Sequence, residues 1–150
     1  MWHREYVNWQ QRRLLGRPES GKGDEVDFAD QSAIYGLYAA NHDCIYIGQA
    51  GRGNSGLFDR LKTHALEDHL FCFWVRFTWL GFYSSSQLRK GRFDDPVTGA
   101  LSLVDALDTI ESVGVYLALP RFNRRYGSGF GGVEWYYQNA EYERLRNAQA

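Results

Sequence analysis

The 150-residue sequence predicts one domain of the α/β (α+β) class, a small and mostly antiparallel three-stranded sheet flanked by helices. Three observations predict this class. Residues 33–48 read as a β-hairpin, residues 70–83 have the Phe- and Trp-rich composition of a further strand, with Val75 among them, and helical patterns occupy 57–66 and 100–119. A chain of this length can bury a self-supporting core without metal or disulfide bonds.

The hairpin consists of two β-branched and aromatic runs on either side of Ala40-Asn41-His42-Asp43, a sequence typical of a turn. Each run carries one tyrosine, Tyr35 in the first and Tyr46 in the second. Side chains alternate across a strand with a period of two, so an even number of loop residues places both tyrosines on one face. A loop one residue longer would separate them.

The ends of the chain are predicted to decorate this core. Within residues 1–30, aromatics at helical spacing from Trp2 to Leu15 predict an amphipathic helix, and residues 16–30 predict a linker or flexible arm. The core itself is assigned to residues 31–126. Residues 127–150 predict a glycine-rich loop and a last helix of the same domain, whose Trp135 to Tyr137 aromatics require a packing surface.

Composition argues against several classes of protein. Cys44 and Cys72 lie in apolar runs without a paired spacing, which favours buried free thiols over a disulfide or a zinc site. Neither a basic leader with an apolar stretch nor a membrane-spanning run is present, because Arg76 interrupts the most apolar segment. We therefore expect a cytoplasmic protein with no membrane contact. The net charge of −1 means that any nucleic-acid binding must come from local basic patches.

A glycine pattern, Gly51-x-Gly53-x-x-Gly56, lies between the hairpin and the first helix. Such a loop can hold a pyrophosphate on the backbone amides of a helix N-terminus. A dinucleotide-binding fold also needs βαβ units and an acidic residue after the next strand, whereas here the next strand ends in Phe82-Tyr83-Ser84. A nucleotide-binding enzyme is therefore the weaker alternative.

The hairpin residues resemble a known family. Ala33-Ile34-Tyr35, ten intervening residues and Tyr46-Ile47-Gly48 resemble the paired signature of the GIY-YIG nuclease superfamily, with Ala33 in place of the first glycine. The resemblance extends over residues 31–123. It implies a GIY-YIG nuclease fold and a stand-alone small endonuclease, either restriction-enzyme-like or phage-encoded.

Four downstream positions continue the resemblance. Arg60 matches the family's arginine, His64 a position that holds His or Tyr, and Glu111 the metal-binding glutamate. The segment Pro120-Arg121-Phe122-Asn123 is similar to the family's Pro-x-aromatic-Asn ending, which implies a supporting role for Asn123. The implied reaction is Mg²⁺-dependent (or Mn²⁺-dependent) hydrolysis of DNA to 5′-phosphate and 3′-hydroxyl ends, with Glu111 as the metal ligand.

The chemistry of phosphodiester hydrolysis calls for the same residue types. Arg60 can supply a fixed bidentate positive charge to the phosphate. Ionising a tyrosine at pH 7 costs about 4 kcal/mol, whereas a histidine is already largely neutral, so pKa values alone favour His64 as general base. The family resemblance instead implies Tyr35 or Tyr46, with His64 assisting. The base is left open among the three.

The predicted partners are DNA and a second copy of the chain. A small stand-alone enzyme that cuts both strands is expected to act as a homodimer or a larger symmetric oligomer. The other main alternative is a catalytically silent DNA-binding protein with the same fold. The candidate DNA-contacting residues, each also compatible with an ordinary charged surface, are Arg52, Lys62, Arg89, Lys90, Arg92, Arg121, Arg124 and Arg125.

Overall fold

The computed structural model describes residues 1–18, 24–53, 55–91, 93, 96, 98 and 101–123. Within these ranges the secondary-structure elements are, in order, β1 (Trp2–His3), a 3₁₀ turn (Arg4–Tyr6), β2 (Leu15–Gly16), β3 (Val26–Asp27), β4 (Ala33–Tyr38), β5 (Cys44–Ala50), α1 (Leu57–Leu66), β6 (Arg76–Gly81), α2 (Ser85–Lys90) and α3 (Leu103–Ala118).

A four-stranded antiparallel sheet with the order β1-β6-β4-β5 is the centre of the described structure. The predicted mixed class with a mostly antiparallel sheet is therefore confirmed, but the predicted strand count of three is one too low. The additional edge strand is β1, in which Trp2 pairs with Phe77 and His3 pairs with Arg76. Strands β2 and β3 form a separate two-stranded pair.

The prediction of a helix from Trp2 to Leu15 is wrong. The Trp2 ring packs against Phe28, Phe77 and Trp79, with centroid distances of 6.0, 5.8 and 6.0 Å. Aromatic burial against the sheet and strand pairing with β6 outweigh the helical spacing of the aromatics, because a short amphipathic helix has little stability without tertiary packing.

The prediction of a flexible arm over residues 16–30 is also wrong where the structure describes it. Val26 and Ala29 are only 3% exposed, and Phe28 donates its backbone N–H to the carbonyl of Leu14. The few apolar residues in this segment suffice because they complete a core that other elements supply. Residues 19–23 lie outside the described residues.

Arg4 fastens the N-terminal segment to the loop between α1 and β6. Its guanidinium donates to the carbonyl oxygens of Ala65 at 2.8 Å, Trp74 at 3.3 Å and Phe71. The same group lies 4.9 Å from the centroid of the Trp74 ring. One side chain therefore holds together the start of the chain, the end of α1 and the entry to β6.

The hairpin reaches the predicted arrangement by a different route. Its loop, residues 39–43, has five residues, an odd number that would separate the tyrosines in a regular hairpin. A β-bulge shifts the register between Leu37, which pairs with Tyr46, and Tyr38, which pairs with Cys44. The extra residue of the bulge restores the alternation, so Tyr35 and Tyr46 lie on one face with ring centroids 6.1 Å apart.

Two predictions after α1 need correction. Of the strand predicted at 70–83 only β6 is formed, and the turns before it leave Cys72 exposed rather than buried. The segment predicted as a loop at 84–99 contains α2, which Ser84 caps by accepting the backbone N–H of Gln87 and which ends at Gly91 in the left-handed region. These local signals were present in the sequence.

The predicted helices α1 and α3 are confirmed, and they pack on opposite faces of the sheet. Leu57, Phe58 and Leu61 of α1 join the core that contains the odd-numbered residues of β4, among them Tyr35. Ala106 and Leu107 of α3 pack with Ile34 on the other face. Within the described ranges no helix has the length and apolar character needed to cross a membrane.

We predict that Arg4→Ala lowers the free energy of unfolding by about 2 kcal/mol, because three carbonyl oxygens lose a charged donor. Urea denaturation followed by tryptophan fluorescence measures the change. Arg13→Ala, at an exposed position of the same segment, is the matched control and is expected to leave the midpoint nearly unchanged. Equal midpoints for the two variants would contradict the role given to Arg4.

Candidate active site

Tyr35, His64 and Asp68 form a hydrogen-bonded chain on the α1 face of the sheet. The Tyr35 hydroxyl lies 2.7 Å from His64 Nε2, and His64 Nδ1 lies 2.5 Å from an Asp68 carboxylate oxygen. Tyr35 is 1% exposed and His64 is 5% exposed, so both groups are enclosed by protein. The chain links the central strand β4 to the C-terminal end of α1.

The chemistry of these partners fixes the direction of each hydrogen bond. Burial lowers the pKa of His64 below its usual 6.5, although Asp68 opposes that shift, so the imidazole is neutral at pH 7. A carboxylate only accepts, so the proton of the neutral ring is on Nδ1 and is donated to Asp68. His64 Nε2 is then an acceptor, and the Tyr35 hydroxyl donates to it.

Tyr46 and Arg60 complete this side of the site. The centroid of the Tyr46 ring lies 4.8 Å from that of the His64 ring. Tyr46 is half-buried, whereas Tyr35 is fully buried. Burial raises the pKa of both tyrosines, most strongly that of Tyr35, while the positive charge of Arg60 acts in the opposite direction. Each of these three groups shifts the pKa values of the others, so the two tyrosine hydroxyls and the Arg60 guanidinium lie close together on this face of the sheet.

Arg60 carries an unsatisfied donor at this point. Its Nε atom is buried and has no hydrogen-bond partner among the described residues. A buried donor without an acceptor costs about 1–3 kcal/mol, a cost that an anionic oxygen placed there would remove. The guanidinium is thus ready to receive a planar or tetrahedral anion.

Glu111 lies on α3, at the other side of the edge strand β5. Burial raises the pKa of its carboxyl, Asp108 adds to the rise, and the charges of Arg60 and Arg52 oppose it. The amide of Gln49, on β5, lowers the pKa of Glu111 and donates from Nε2 to Asp108 at 3.0 Å. The charge of Arg60 therefore acts on Glu111, although the helices that carry them pack on opposite faces of the sheet.

A second unsatisfied atom lies beside Glu111. The Gln49 Oε1 oxygen is buried and accepts no hydrogen bond from the described residues. Carboxylate and amide oxygens are the ligands that Mg²⁺ prefers, so Glu111 and Gln49 offer a suitable donor set for a weakly held, partly hydrated ion. The described residues contain no cluster of three His, Cys, Asp or Glu side chains that would form a fully protein-ligated metal site.

Asn123 supports β5 and does not contact Glu111 or the tyrosines. Its side chain accepts from the N–H of Ile47 at 2.8 Å and donates to the carbonyl of the same residue at 2.6 Å. Phe122 extends this contact by donating its backbone N–H to the carbonyl of Ile45. The outer edge of the strand that carries Tyr46 and Gln49 is thereby covered and fixed.

The structure brings one of the predicted basic residues to the site. Arg52 pairs with Asp108 at 3.4 Å, next to Glu111. Arg89 donates to the carbonyl of Asp24 at 2.9 Å, and Arg121 lies 5.4 Å from the centroid of the Phe122 ring. These contacts do not involve Tyr35 or Tyr46. Lys62 and Lys90 are exposed, and the remaining candidates lie outside the described residues, namely Arg92, Arg124 and Arg125.

The glycine-rich loop does not offer a free phosphate cradle. The first backbone amides of α1 are already used, since Leu57 donates to the carbonyl of Gln31 and Phe58 donates to that of Ala29. The Gly56 amide donates to the Asp59 carboxylate. These partners turn the helix N-terminus into a packing contact with residues 29–31 and weaken the nucleotide-binding alternative.

Sequence reasoning missed three residues of this site. Asp68 follows His64 by four residues, the spacing that brings side chains together along a helix, and this was its available signal. Asp108 similarly precedes Glu111 by three residues. Gln49 had only its position directly after the hairpin signature, because a lone glutamine carries no pattern of its own.

Comparison of the chain with protein-family models, with curated proteins and with solved structures finds no match.

We predict that Gly48→Ala disrupts the tyrosine pair. A β-carbon at residue 48 would lie 2.6 Å from Tyr46 Cε1 and 2.7 Å from the Tyr35 hydroxyl oxygen. Such overpacking costs about 2 kcal/mol, which thermal denaturation will register as a lower Tm.

Gly114→Ala is the matched control for that substitution. Its β-carbon would meet only the flexible end of Ile47, 3.3 Å away, and alanine within α3 gains helix propensity. We expect its Tm to remain at or above that of the wild type. A Gly48→Ala protein as stable as the Gly114→Ala protein would contradict the tight packing around the tyrosines.

Proposed function

We propose that this chain is a divalent-metal-dependent DNA endonuclease with a GIY-YIG nuclease fold. It hydrolyses a phosphodiester bond to leave a 5′-phosphate and a 3′-hydroxyl. The observation that carries the proposal is the buried, unpartnered Nε of Arg60 beside two tyrosine hydroxyls and a neutral histidine. A phosphodiester supplies the acceptor that Arg60 lacks.

Support also comes from the way in which separated sequence features meet. Tyr35, Tyr46, Arg60 and His64 come from two strands and a helix and lie together on the α1 face of the sheet. Their order in the chain is the order of the GIY-YIG signature. Each of these residues alone would be an ordinary buried or half-buried side chain, whereas the group forms an anion site adjoining proton-transfer groups.

The two tyrosines differ in solvent exposure, and we assign them different roles for this reason. Tyr46 is half-buried and so can meet the attacking water, whereas Tyr35 is enclosed and hydrogen-bonded to His64. A free tyrosinate is costly here because burial raises both pKa values. We therefore assign a concerted transfer, in which Tyr46 takes a proton from water as its own proton moves to Tyr35 and the Tyr35 proton moves to His64 Nε2.

Arg60 and Glu111 have complementary tasks. Arg60 stabilises the negative charge that develops on the phosphoryl oxygens. Glu111, with the Gln49 oxygen nearby, would hold Mg²⁺ or Mn²⁺, which when bound neutralises phosphate charge and assists departure of the 3′ oxygen. The charge of Arg60 acts on the Glu111 carboxylate and opposes the rise in its pKa that burial causes.

The proposed substrate is double-stranded DNA, cut in a restriction-like or phage and defence role by a symmetric dimer. Of the N-terminal aromatics proposed as a dimer contact, Trp2 and Trp9 pack within their own chain, whereas Tyr6 is exposed and stays a candidate. The other predicted contact, Trp135 to Tyr137, lies outside the described residues.

We expect multi-angle light scattering of the purified protein at micromolar concentration to give twice the chain mass of 17.3 kDa. Two active sites related by a two-fold axis would then address the two strands of the duplex. A single species at the mass of one chain would remove the dimer from the proposal and leave nicking of one strand as the expected reaction.

The nuclease activity itself is tested with supercoiled plasmid in the presence of MgCl₂. We predict that Arg60→Gln and Glu111→Gln each lower the nicking rate by about 100-fold or more, because each removes charge stabilisation of the transition state. EDTA is expected to abolish cutting by the wild type, and end-labelling is expected to find 5′-phosphates.

Glu67→Gln is the matched control, because Glu67 is an exposed carboxylate at the end of α1. It is expected to cut at the wild-type rate. Variants that cut as fast as the wild type would exclude the proposed roles of Arg60 and Glu111. A wild type that binds the plasmid and leaves it uncut with magnesium present would instead identify a DNA-binding protein.

A further inference from the structure

We propose that Asp68 is a positioning residue for the reaction, holding His64 in the tautomer whose Nε2 accepts the Tyr35 proton. The inference rests on the proposed nuclease function for its catalytic meaning. The arrangement of Asp68, His64 and Tyr35 is itself a property of the fold and can be measured without any substrate.

Both oxygens of the Asp68 carboxylate have fixed partners. Oδ2 accepts from His64 Nδ1 at 2.5 Å, and Oδ1 accepts from the backbone N–H of Leu70 at 2.7 Å. Leu70 is 1% exposed and belongs to the core, so the second contact ties the carboxylate to a rigid part of the molecule. A carboxylate held at both oxygens orients the imidazole in one plane.

The imidazole has little freedom to choose another arrangement. The backbone carbonyl of His64 accepts from Trp74 Nε1 at 3.1 Å, which fixes the backbone at this residue. The rings of Tyr35 and Tyr46 contact the imidazole. The charged and titratable groups that face the ring from the elements around it are Tyr35, Tyr46, Arg60, Asp68 and His69. Only Asp68 among them stabilises the protonated ring, since Arg60 and His69 act against it.

This distribution of charge explains what Asp68 contributes. When the Tyr35 O–H bond breaks and an N–H bond forms at His64 Nε2, the ring becomes a cation in a buried place beside Arg60. The Asp68 carboxylate, already hydrogen-bonded at Nδ1, offsets that charge. The net change is one proton moved from the attacking water, through the two hydroxyls, to His64, with no oxidation or reduction.

Asp68→Asn is the decisive substitution. The asparagine keeps a side-chain oxygen for the Leu70 N–H and presents an NH₂ group to His64 Nδ1 in place of a carboxylate oxygen. Nδ1 then has to accept, which moves the ring proton to Nε2 and removes the acceptor for Tyr35. We expect a fall in kcat of about 100-fold for plasmid nicking, within the range for general base catalysis, and an unchanged KM.

The tautomer is read directly from the ¹⁵N chemical shifts of the His64 ring in uniformly labelled protein. We expect Nδ1–H in the wild type and Nε2–H in Asp68→Asn. If Asp68 had only a structural role, any effect of Asp68→Asn on the tautomer or on kcat would be accompanied by a lower Tm. Asp68→Glu, which restores a carboxylate, is expected to recover Nδ1–H and part of kcat, and Glu67→Gln is the control at the neighbouring exposed carboxylate.

The outcomes separate this inference from the proposed function. A wild type that fails to nick DNA with magnesium overturns the nuclease proposal, and its ¹⁵N shifts still support or refute the assigned tautomer. A wild type that nicks DNA while Asp68→Asn nicks equally fast overturns the role of Asp68. An Nε2–H tautomer in the wild type overturns it as well. Should Asp68→Asn fold poorly, the wild-type spectrum and Asp68→Glu decide the question.

Discussion

The hydrogen bond from the Tyr35 hydroxyl to His64 Nε2 connects the central strand to the helix on which the site depends. Both side chains are buried, so water does not compete for this hydrogen bond. The bond also requires that β4 and α1 stay in place relative to each other. On the strand side Gly48 leaves the space in which the tyrosine rings lie, and on the helix side Asp68 fixes the imidazole. The rest of the described site is built outward from this contact.

The supports of that contact come from distant parts of the chain. Arg4 holds the carbonyls of Ala65, Phe71 and Trp74, and so fixes the loop that carries Asp68. Asn123 covers the outer edge of β5 and so fixes the strand that carries Tyr46. These interactions stabilise the fold. They also limit the movement of the loop and the strand, so that the polar side chains of the site keep their positions and do not rearrange to form other hydrogen bonds.

Two buried polar atoms remain without partners among the described residues, a donor on Arg60 and an acceptor on Gln49. A folded protein usually satisfies such atoms, and leaving two of them without partners lowers stability. Their chemical types match the two components of a metal-bound phosphodiester, since the donor suits an anionic oxygen and the acceptor suits a cation or its water. The site is thus incomplete in a way that the proposed substrate would complete.

The sequence by itself determined the hairpin, α1 and α3, because alternation, helical period and turn residues are local properties. It indicated Tyr35, Tyr46, Arg60 and His64 as one group only through the resemblance to the GIY-YIG signature. It did not determine that the segment from Trp2 to Leu15 is extended, since that depends on an aromatic surface which only the folded sheet provides. The five-residue hairpin loop would have separated the tyrosines, and the bulge that reunites them depends on pairing with the whole strand. The tertiary structure also decided that Asp68 orients His64 and that Asn123 holds Ile47. Such contacts depend on how the backbone brings separate segments together. Spacing along the chain predicts side-chain contacts only within one helix or strand.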